Sequence, residues 1–399
     1  MTARIVSSAA TDQPADADEL LDRIRALVPL FRANATKTEQ EQRVAQENLD
    51  ALRAAGMFRL TVPPQYGGYK ISLPHLLKII FEAGRGCAST GWILANDAAS
   101  TTFTLGLDED ALEDMYGNNP DTLVYSTANI PGSHAFKVDG GYSVSGRFPW
   151  SSGCEFSDWV YIALAPVIEG DAEPTKLLIG VAPNDQVTVE QTWNCAGMHG
   201  TGTHTVTVNE LFVPEYRTVL IDVSPENRLD EDERNTAVMR GSLQSLAALV
   251  GAAQGALDTV TEALAKKRPI SLTTYAAASD SPTVQLWFAE AVHLIDTAVL
   301  HMLHAGEEID KFALEEPVPW VERARIRTHM ASSLARARDG VDKLLDVAGA
   351  SSFAMANPLQ RYWRDLNVGS RHNAFNAPII FEEFSRALLN IRPSVTLTY

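Results

Sequence analysis

No stretch restricts this chain more than Gly140-Gly141-Tyr142-Ser143-Val144-Ser145-Gly146-Arg147-Phe148-Pro149-Trp150-Ser151-Ser152-Gly153, with Asp158 to Ala163 behind it. Gly140-Gly141 is a tight-turn dipeptide, and apolar and polar residues alternate after it, which predicts a hairpin turn feeding a β-strand. Phe148, Pro149 and Trp150 break the alternation, and two adjacent hydroxyls and a glycine follow. A second apolar strand, Trp159 to Ala163, then returns. In an ordinary meander these aromatics would face a core. The cluster also suits a flat heteroaromatic ring, with an aromatic shelf, edge donors on Ser151 and Ser152, and Gly153 permitting close backbone approach.

The chain around this stretch is long. Its 399 residues allow two or three domains with a large shared core. A net charge of −17 argues against nucleic acid or an anionic membrane as partner, since both are polyanions. Cys87, Cys154 and Cys195 have no metal-ligand spacing and leave an odd one over, which predicts reduced thiols and a cytoplasmic protein. No apolar run is read as reaching transmembrane length, and the N-terminus lacks the order of a signal peptide. Residues 1–18 read as a flexible tail.

Helical spacing runs from Asp18 to a stop at Gly56, and resumes at Leu73 to Gly84 beyond the turn-rich Pro63-Pro64 and Gly67-Gly68. Small residues, Gly86-Cys87-Ala88-Ser89-Thr90-Gly91, precede Trp92 on a further helix; they suit either helix packing or close approach to a flat group. Residues 123–230 are rich in strands, starting with Leu123-Val124-Tyr125-Ser126-Thr127 and the loop Asn129-Ile130-Pro131-Gly132. Cys195 to His204 carries three glycines in six positions, so unusual dihedrals or a close ligand approach are expected there. His199 and His204 have no third ligand nearby, and no metal is expected. From residue 231 onward the pattern is helical: Ser242 to Ala265, Thr283 to Ala305, Val321 to Ala348 and Ile379 to Leu389 read as a four-helix bundle. Arg364-Asp365 suits a buried ion pair and helix cap.

The Trp150-Ser151-Ser152-Gly153 run and its flanking strands resemble the flavin-facing strands of the acyl-CoA dehydrogenase fold. They are most similar to the flavin-dependent monooxygenases on that fold, the oxygenase halves of two-component systems. There an aromatic-Ser-Ser-Gly run replaces the Trp-Ile-Thr-Asn pattern of the dehydrogenases. The resemblance extends from about residue 20 to the C-terminus. It implies an α+β, mostly α fold: an N-terminal helical domain (19–122), a middle β-barrel domain (123–230) and a C-terminal four-helix bundle (231–399). It also implies a homotetramer, and reduced flavin (FMN or FAD) delivered by a separate reductase. O₂ would react with that flavin through a C4a-hydroperoxyflavin, hydroxylating a small substrate of aromatic or polyketide type. Tyr125, Ser126, Thr127, Trp150, Ser151 and Ser152 are then expected at the flavin, Ser152 with a catalytic part near N5. Trp92, Asn96, His372 and Asn373 would line the substrate cavity, with Trp92 also walling the flavin. Arg268, in the basic run Lys266-Lys267-Arg268, would reach the flavin phosphate of a neighbouring subunit.

Two departures separate this chain from the dehydrogenases. Their Thr-Glu-Pro-x-x-Gly-Ser loop is missing, and positions 366–381, where they keep the Glu that takes the substrate α-proton, contain no carboxylate. His372 stands there instead, neutral or cationic, suited to donate a hydrogen bond or handle a proton. Several relatives carry a His one or two turns after the Trp that Trp92 matches; here none follows it at that distance, so its role is either unfilled or taken by Asn96 or Asp97. No Gly-x-Gly-x-x-Gly follows a strand, so nicotinamide binding is not expected. The competing readings are an N-oxygenase of an amine such as a nucleotide-linked amino sugar, an acyl-CoA dehydrogenase, and a helical scaffold without flavin.

Overall fold

The computed structural model describes residues 17–127, 132–170, 173–227 and 230–396. The N-terminal tail before residue 17 and the loop residues 129–131 lie outside the described residues. Five helices open the chain: α1 (Ala17–Gln40), α2 (Gln46–Ala54), α3 (Leu73–Gly86), α4 (Ala88–Thr104) and α5 (Glu109–Tyr116). Gly56, with φ of 75°, follows the C-cap Ala55 of α2 and turns the chain out of the helix in the left-handed region. Eight strands come next: β1 (Val124–Ser126), β2 (His134–Val138), β3 (Gly141–Ser151), β4 (Trp159–Pro166), β5 (Lys176–Pro183), β6 (Thr188–Glu190), β7 (His204–Pro214) and β8 (Thr218–Asp222). The helices α6 (Ala237–Ala265), α7 (Pro282–Asp310), α8 (Trp320–Ala348), α9 (Pro358–Gly369) and α10 (Ala377–Leu388) complete the chain. This is the acyl-CoA dehydrogenase-like arrangement, helical at both ends with sheets between.

The strands form two four-stranded sheets, β1-β4-β5-β8 and β2-β3-β7-β6. Val160, Ile162 and Leu178 of the first meet Tyr142, Val144, Phe148 and Val206 of the second in one buried cluster. A parallel bridge between Ala135 and Val167 joins the sheets at one edge. The tight turn falls where the glycines predict, with β2 and β3 pairing Val138 to Gly141. The return by Trp159 to Ala163 does not. β4 pairs with β1 and β5 rather than with β3, so the chain changes sheets between Ser151 and Trp159. Trp150, the penultimate residue of β3, has φ 62° and is 65% exposed, outside the core that Phe148 enters.

α6, each of whose faces is rich in Ala, Leu or Gly, is the axis of the helical part. Small residues let α3 cross it backbone to backbone: a Cβ on Gly251 would lie 2.0 Å from the Phe81 carbonyl. Ionic braces tie the N-terminal helices to this axis, with Asp258 on α6 accepting from Arg85 and Arg32. α7, 29 residues, is long and apolar enough by length and composition to cross a membrane, contrary to the sequence expectation. In this structure Ala291, Ile295, Ala298 and Met302 are buried, and α7 runs along α8. The bundle also holds α9, which the helical spacing does not pick out.

Candidate active site

α4 carries Trp92 on its second turn. The small residues before it serve helix packing, since a Cβ on Gly91 would meet the Gly84 backbone of α3 at 2.6 Å. Held this closely, Trp92 is 8% exposed, and its indole Nε1–H reaches across to donate to Ser152 Oγ at 3.2 Å. Ser152 itself is 4% exposed, just past the end of β3.

The hydroxyl of Ser152 is one of a row. Ser152 Oγ lies 2.7 Å from Thr203 Oγ1, which lies 2.6 Å from Thr201 Oγ1. Thr201 donates to the Met198 carbonyl at 2.8 Å. Each hydroxyl has one proton, so the last bond sets the direction of the others. With Thr201 donating to Met198, Thr203 donates to Thr201 and Ser152 to Thr203. Ser152 therefore receives the indole N–H and passes its own proton away, contrary to the edge donor expected from sequence. Its remaining valence is a lone pair. The loop bearing the threonines is tied to the Ser152 turn by the Gly153 N–H, which donates to the Thr201 carbonyl at 3.1 Å.

α9 supports that loop from the other side. Asp365 accepts the Met198 N–H at 2.5 Å, and Arg364 donates to the Ala196 carbonyl at 2.6 Å. Burial pushes the Asp365 carboxyl up to about 6, against the pull of the Met198 N–H. Asp365 is thus a loop cap and not the partner of Arg364, whose charge pairs with Glu39 of α1, as does that of Arg361. Adjacent helix residues point about 100° apart, which explains the separate partners.

α9 ends at Gly369, and His372 follows as the cap of a short 3₁₀ turn over Asn373–Phe375. Its Nδ1 accepts the Ala374 N–H at 3.3 Å, which places the proton of the neutral ring on Nε2. The ring meets Trp92 edge-on at 5.8 Å between centroids, and Phe375 at 5.9 Å. The residue is solvent-exposed, and the neighbouring protein atoms that desolvate the ring lower its pKa. Two residues earlier, Ser370 Oγ is buried without a hydrogen-bond partner among the described residues.

Trp92, Ser152 and His372 are therefore brought together, whereas other predicted positions are engaged elsewhere. The Tyr125 hydroxyl donates to Asn184 within the sheet core. Ser151 is fully buried and donates to the Phe148 carbonyl. Thr127 bonds the β4 backbone at Tyr161 and Ala163, and Ser126 is half-buried on the opposite face of β1. Asn96 accepts from Ser100, while buried Asp97 caps β1 through the Val124 N–H. Asn373 and Arg268 are exposed, Arg268 just past the end of α6. Sequence reasoning missed Thr201, Thr203 and the loop-capping use of Asp365; the glycine-dense loop was the available signal. His204, fully buried, accepts the Thr192 and Trp193 N–H groups and belongs to the core. Among the described residues, no group of three or more His, Cys, Asp or Glu is placed to hold a metal.

Comparison with known proteins finds relatives along most of the chain. The acyl-CoA dehydrogenase C-terminal domain matches residues 243–377, and the acyl-CoA dehydrogenase N-terminal domain matches residues 14–109. The oxygenase subunit HsaA of a flavin-dependent monooxygenase from Rhodococcus jostii (strain RHA1) is 32% identical over 364 residues, which cover 89% of this chain and 94% of that one. The oxygenase component of an FADH(2)-dependent resorcinol hydroxylase from Rhizobium sp. (strain MTP-10005) is 29% identical, covering 94% of this chain and 95% of that one. Among solved structures, XiaF from Streptomyces sp. in complex with FADH2 and glycerol aligns with a TM-score of 0.88 at 27% identity, covering 96% of this chain and 98% of that chain. The chain belongs to the flavin-dependent monooxygenases, among their oxygenase subunits, on the acyl-CoA dehydrogenase fold. It is an oxidoreductase, as the resemblance in its sequence implied. The residues present fit a flavin ring: a lone pair on Ser152 and an Nε2–H on His372 accompany the Trp92 indole.

Proposed function

We propose that this chain is the oxygenase component of a two-component system that hydroxylates a small aromatic substrate, using reduced flavin and O₂. The juxtaposition of Trp92, Ser152 and His372 carries this reading. Reduced flavin, FMN or FAD, supplies the electrons that let O₂ deliver one oxygen atom to the substrate. Ser152 would hold the ring edge from the sheet side with Trp92 of α4 beside it, and the buried indole would keep water from it. His372, neutral near pH 7, offers its Nε2–H to an oxygen of the substrate or oxidant and is placed to exchange a proton there. Asn373 borders the substrate side. A separate reductase supplies the flavin, and the free thiols Cys87, Cys154 and Cys195 suit a cytoplasmic setting. The protein works as a homotetramer of three-domain chains divided near residues 123 and 231, in which Arg268 serves the flavin phosphate of a neighbour.

The test combines the purified chain with a flavin reductase, NADH, flavin and a panel of phenols, with catalase present. Hydroxylated product stoichiometric with reduced flavin, and only with the reductase added, is expected. Turnover with NADH and flavin alone, without reductase or non-enzymatic flavin reduction, would overturn the reading.

A further inference from the structure

The direction of the hydroxyl row has a functional meaning. A hydroxyl with a free proton serves a bare ring nitrogen and a protonated one about equally well, by rotating. Ser152 is not free to rotate. Its proton goes to Thr203, that of Thr203 to Thr201 and that of Thr201 to the Met198 carbonyl, over 2.7, 2.6 and 2.8 Å. The row ends on a backbone carbonyl, which can only accept, and hydrogen bonds in series strengthen one another. At the other end Trp92 donates into Ser152 and so opposes reversal of the row.

We propose that Thr201 and Thr203 are positioning residues that fix Ser152 as a hydrogen-bond acceptor, so that this wall prefers a flavin whose ring nitrogen N5 carries a proton. Dihydroflavin carries that proton and oxidised flavin does not. A lone pair facing a lone pair leaves the oxidised ring without a partner at this edge, while the reduced ring donates into Ser152. The threonines touch neither ring nor substrate; they act through Ser152. The inference rests on the reading that Ser152 faces the flavin.

The experiment measures dissociation constants of oxidised and of anaerobically reduced FMN and FAD for wild type, Thr203→Val, Thr201→Val, Thr203→Ser and Ser152→Ala, with thermal unfolding as a check on folding. In wild type the reduced form binds more tightly. Either valine variant releases the Ser152 proton, so oxidised flavin should gain and the preference for the reduced form should fall about fivefold to tenfold, the factor of one neutral hydrogen bond. Thr203→Ser should restore the wild-type ratio. Thr201→Val provides the same readout should Thr203→Val not fold. An unchanged ratio in the valine variants, with a changed one in Ser152→Ala, overturns the role of the threonines and leaves Ser152 at the flavin. Unchanged affinities for both forms in Ser152→Ala would remove Ser152 from the flavin and the inference with it.

Discussion

The two walls around Trp92 are built on opposite rules. On the sheet side, the hydroxyls from Ser152 to Thr201 commit all their protons to one another and to the Met198 carbonyl, and carry no titratable group. On the helix side, His372 commits only Nδ1, is solvent-exposed, and titrates at a pKa lowered by the neighbouring protein atoms that desolvate the ring. A wall that holds a ring in place benefits from cross-linked neutral bonds, because each fixes the orientation of the next. A group that exchanges protons needs a spare valence and a tunable pKa instead. The difference assigns orientation to one side and proton chemistry to the other.

Breaking the reactive side should have the largest effect. His372→Ala should lower product formed per reduced flavin by roughly two to four orders of magnitude if the ring transfers a proton, and less if it only orients. Since the lowered pKa keeps the ring neutral, wild-type yield should be flat from pH 7 to 9 and fall only below the ordinary histidine range near 6.5. The unfolded chain takes that proton more readily, so His372 also withdraws stability as pH falls below about 6.5, and His372→Ala should lose less there. A variant with undiminished yield would reduce His372 to the cap of its turn.

The fixed side should respond through both stability and yield. Ser152→Ala strands the buried indole N–H of Trp92, costing about 1–3 kcal/mol in unfolding free energy, and product yield should fall severalfold. Unchanged melting and unchanged yield would mean that the row is not under the load described.

Asp365→Asn sharpens the comparison more gently. With its pKa raised to about 6, the folded protein keeps a proton that the unfolded chain releases near pH 4. Stability from this group therefore falls as pH rises through that window, and above it the ionised carboxylate is a net burden. Asparagine retains an acceptor for the Met198 N–H, so the variant should gain on the order of 1 kcal/mol at pH 7 and lose the slope between pH 4 and 6. Urea unfolding at pH 4.5, 5.5 and 7 reads this, and a steeper slope would contradict it.

The smallest effect belongs to Arg268, away from both walls. Arg268→Ala should change stability by less than about 0.5 kcal/mol. It should weaken flavin binding only at protein concentrations where copies associate. Equal weakening in the dissociated chain would place Arg268 at its own subunit's flavin.

Much of the architecture was legible because its signals are local. Gly56 turns the chain out after α2, Gly140 makes its turn, and the long apolar spacings become α6, α7 and α8. What was illegible depended on partners distant in sequence. The change of sheets after Ser151 follows from β4 pairing with β1 and β5, which no alternation pattern reveals. Arg364 and Asp365 are neighbours in the chain, but the helix turns one toward Glu39 and the other toward Met198. Tyr125 and Thr127 could have been separated from Ser126 by the two-residue strand period, which puts Tyr125 into the sheet core. The pairing of Trp92 with Ser152 spans 60 residues, and only the shared small-residue context hinted at it.

The double use of α9 has a consequence for how the protein comes apart. One short helix is clamped to α1 through Glu39, caps the threonine loop through Asp365, and leads directly into His372. Both walls consequently share a single foundation. Release of α9 would withdraw the loop's Asp365 cap and the histidine in one step, so the amides of 198–203 and of 360–372 should exchange together, which hydrogen exchange would read as a common opening free energy. Partial melting of this region would therefore remove His372 and the support of the threonine loop together.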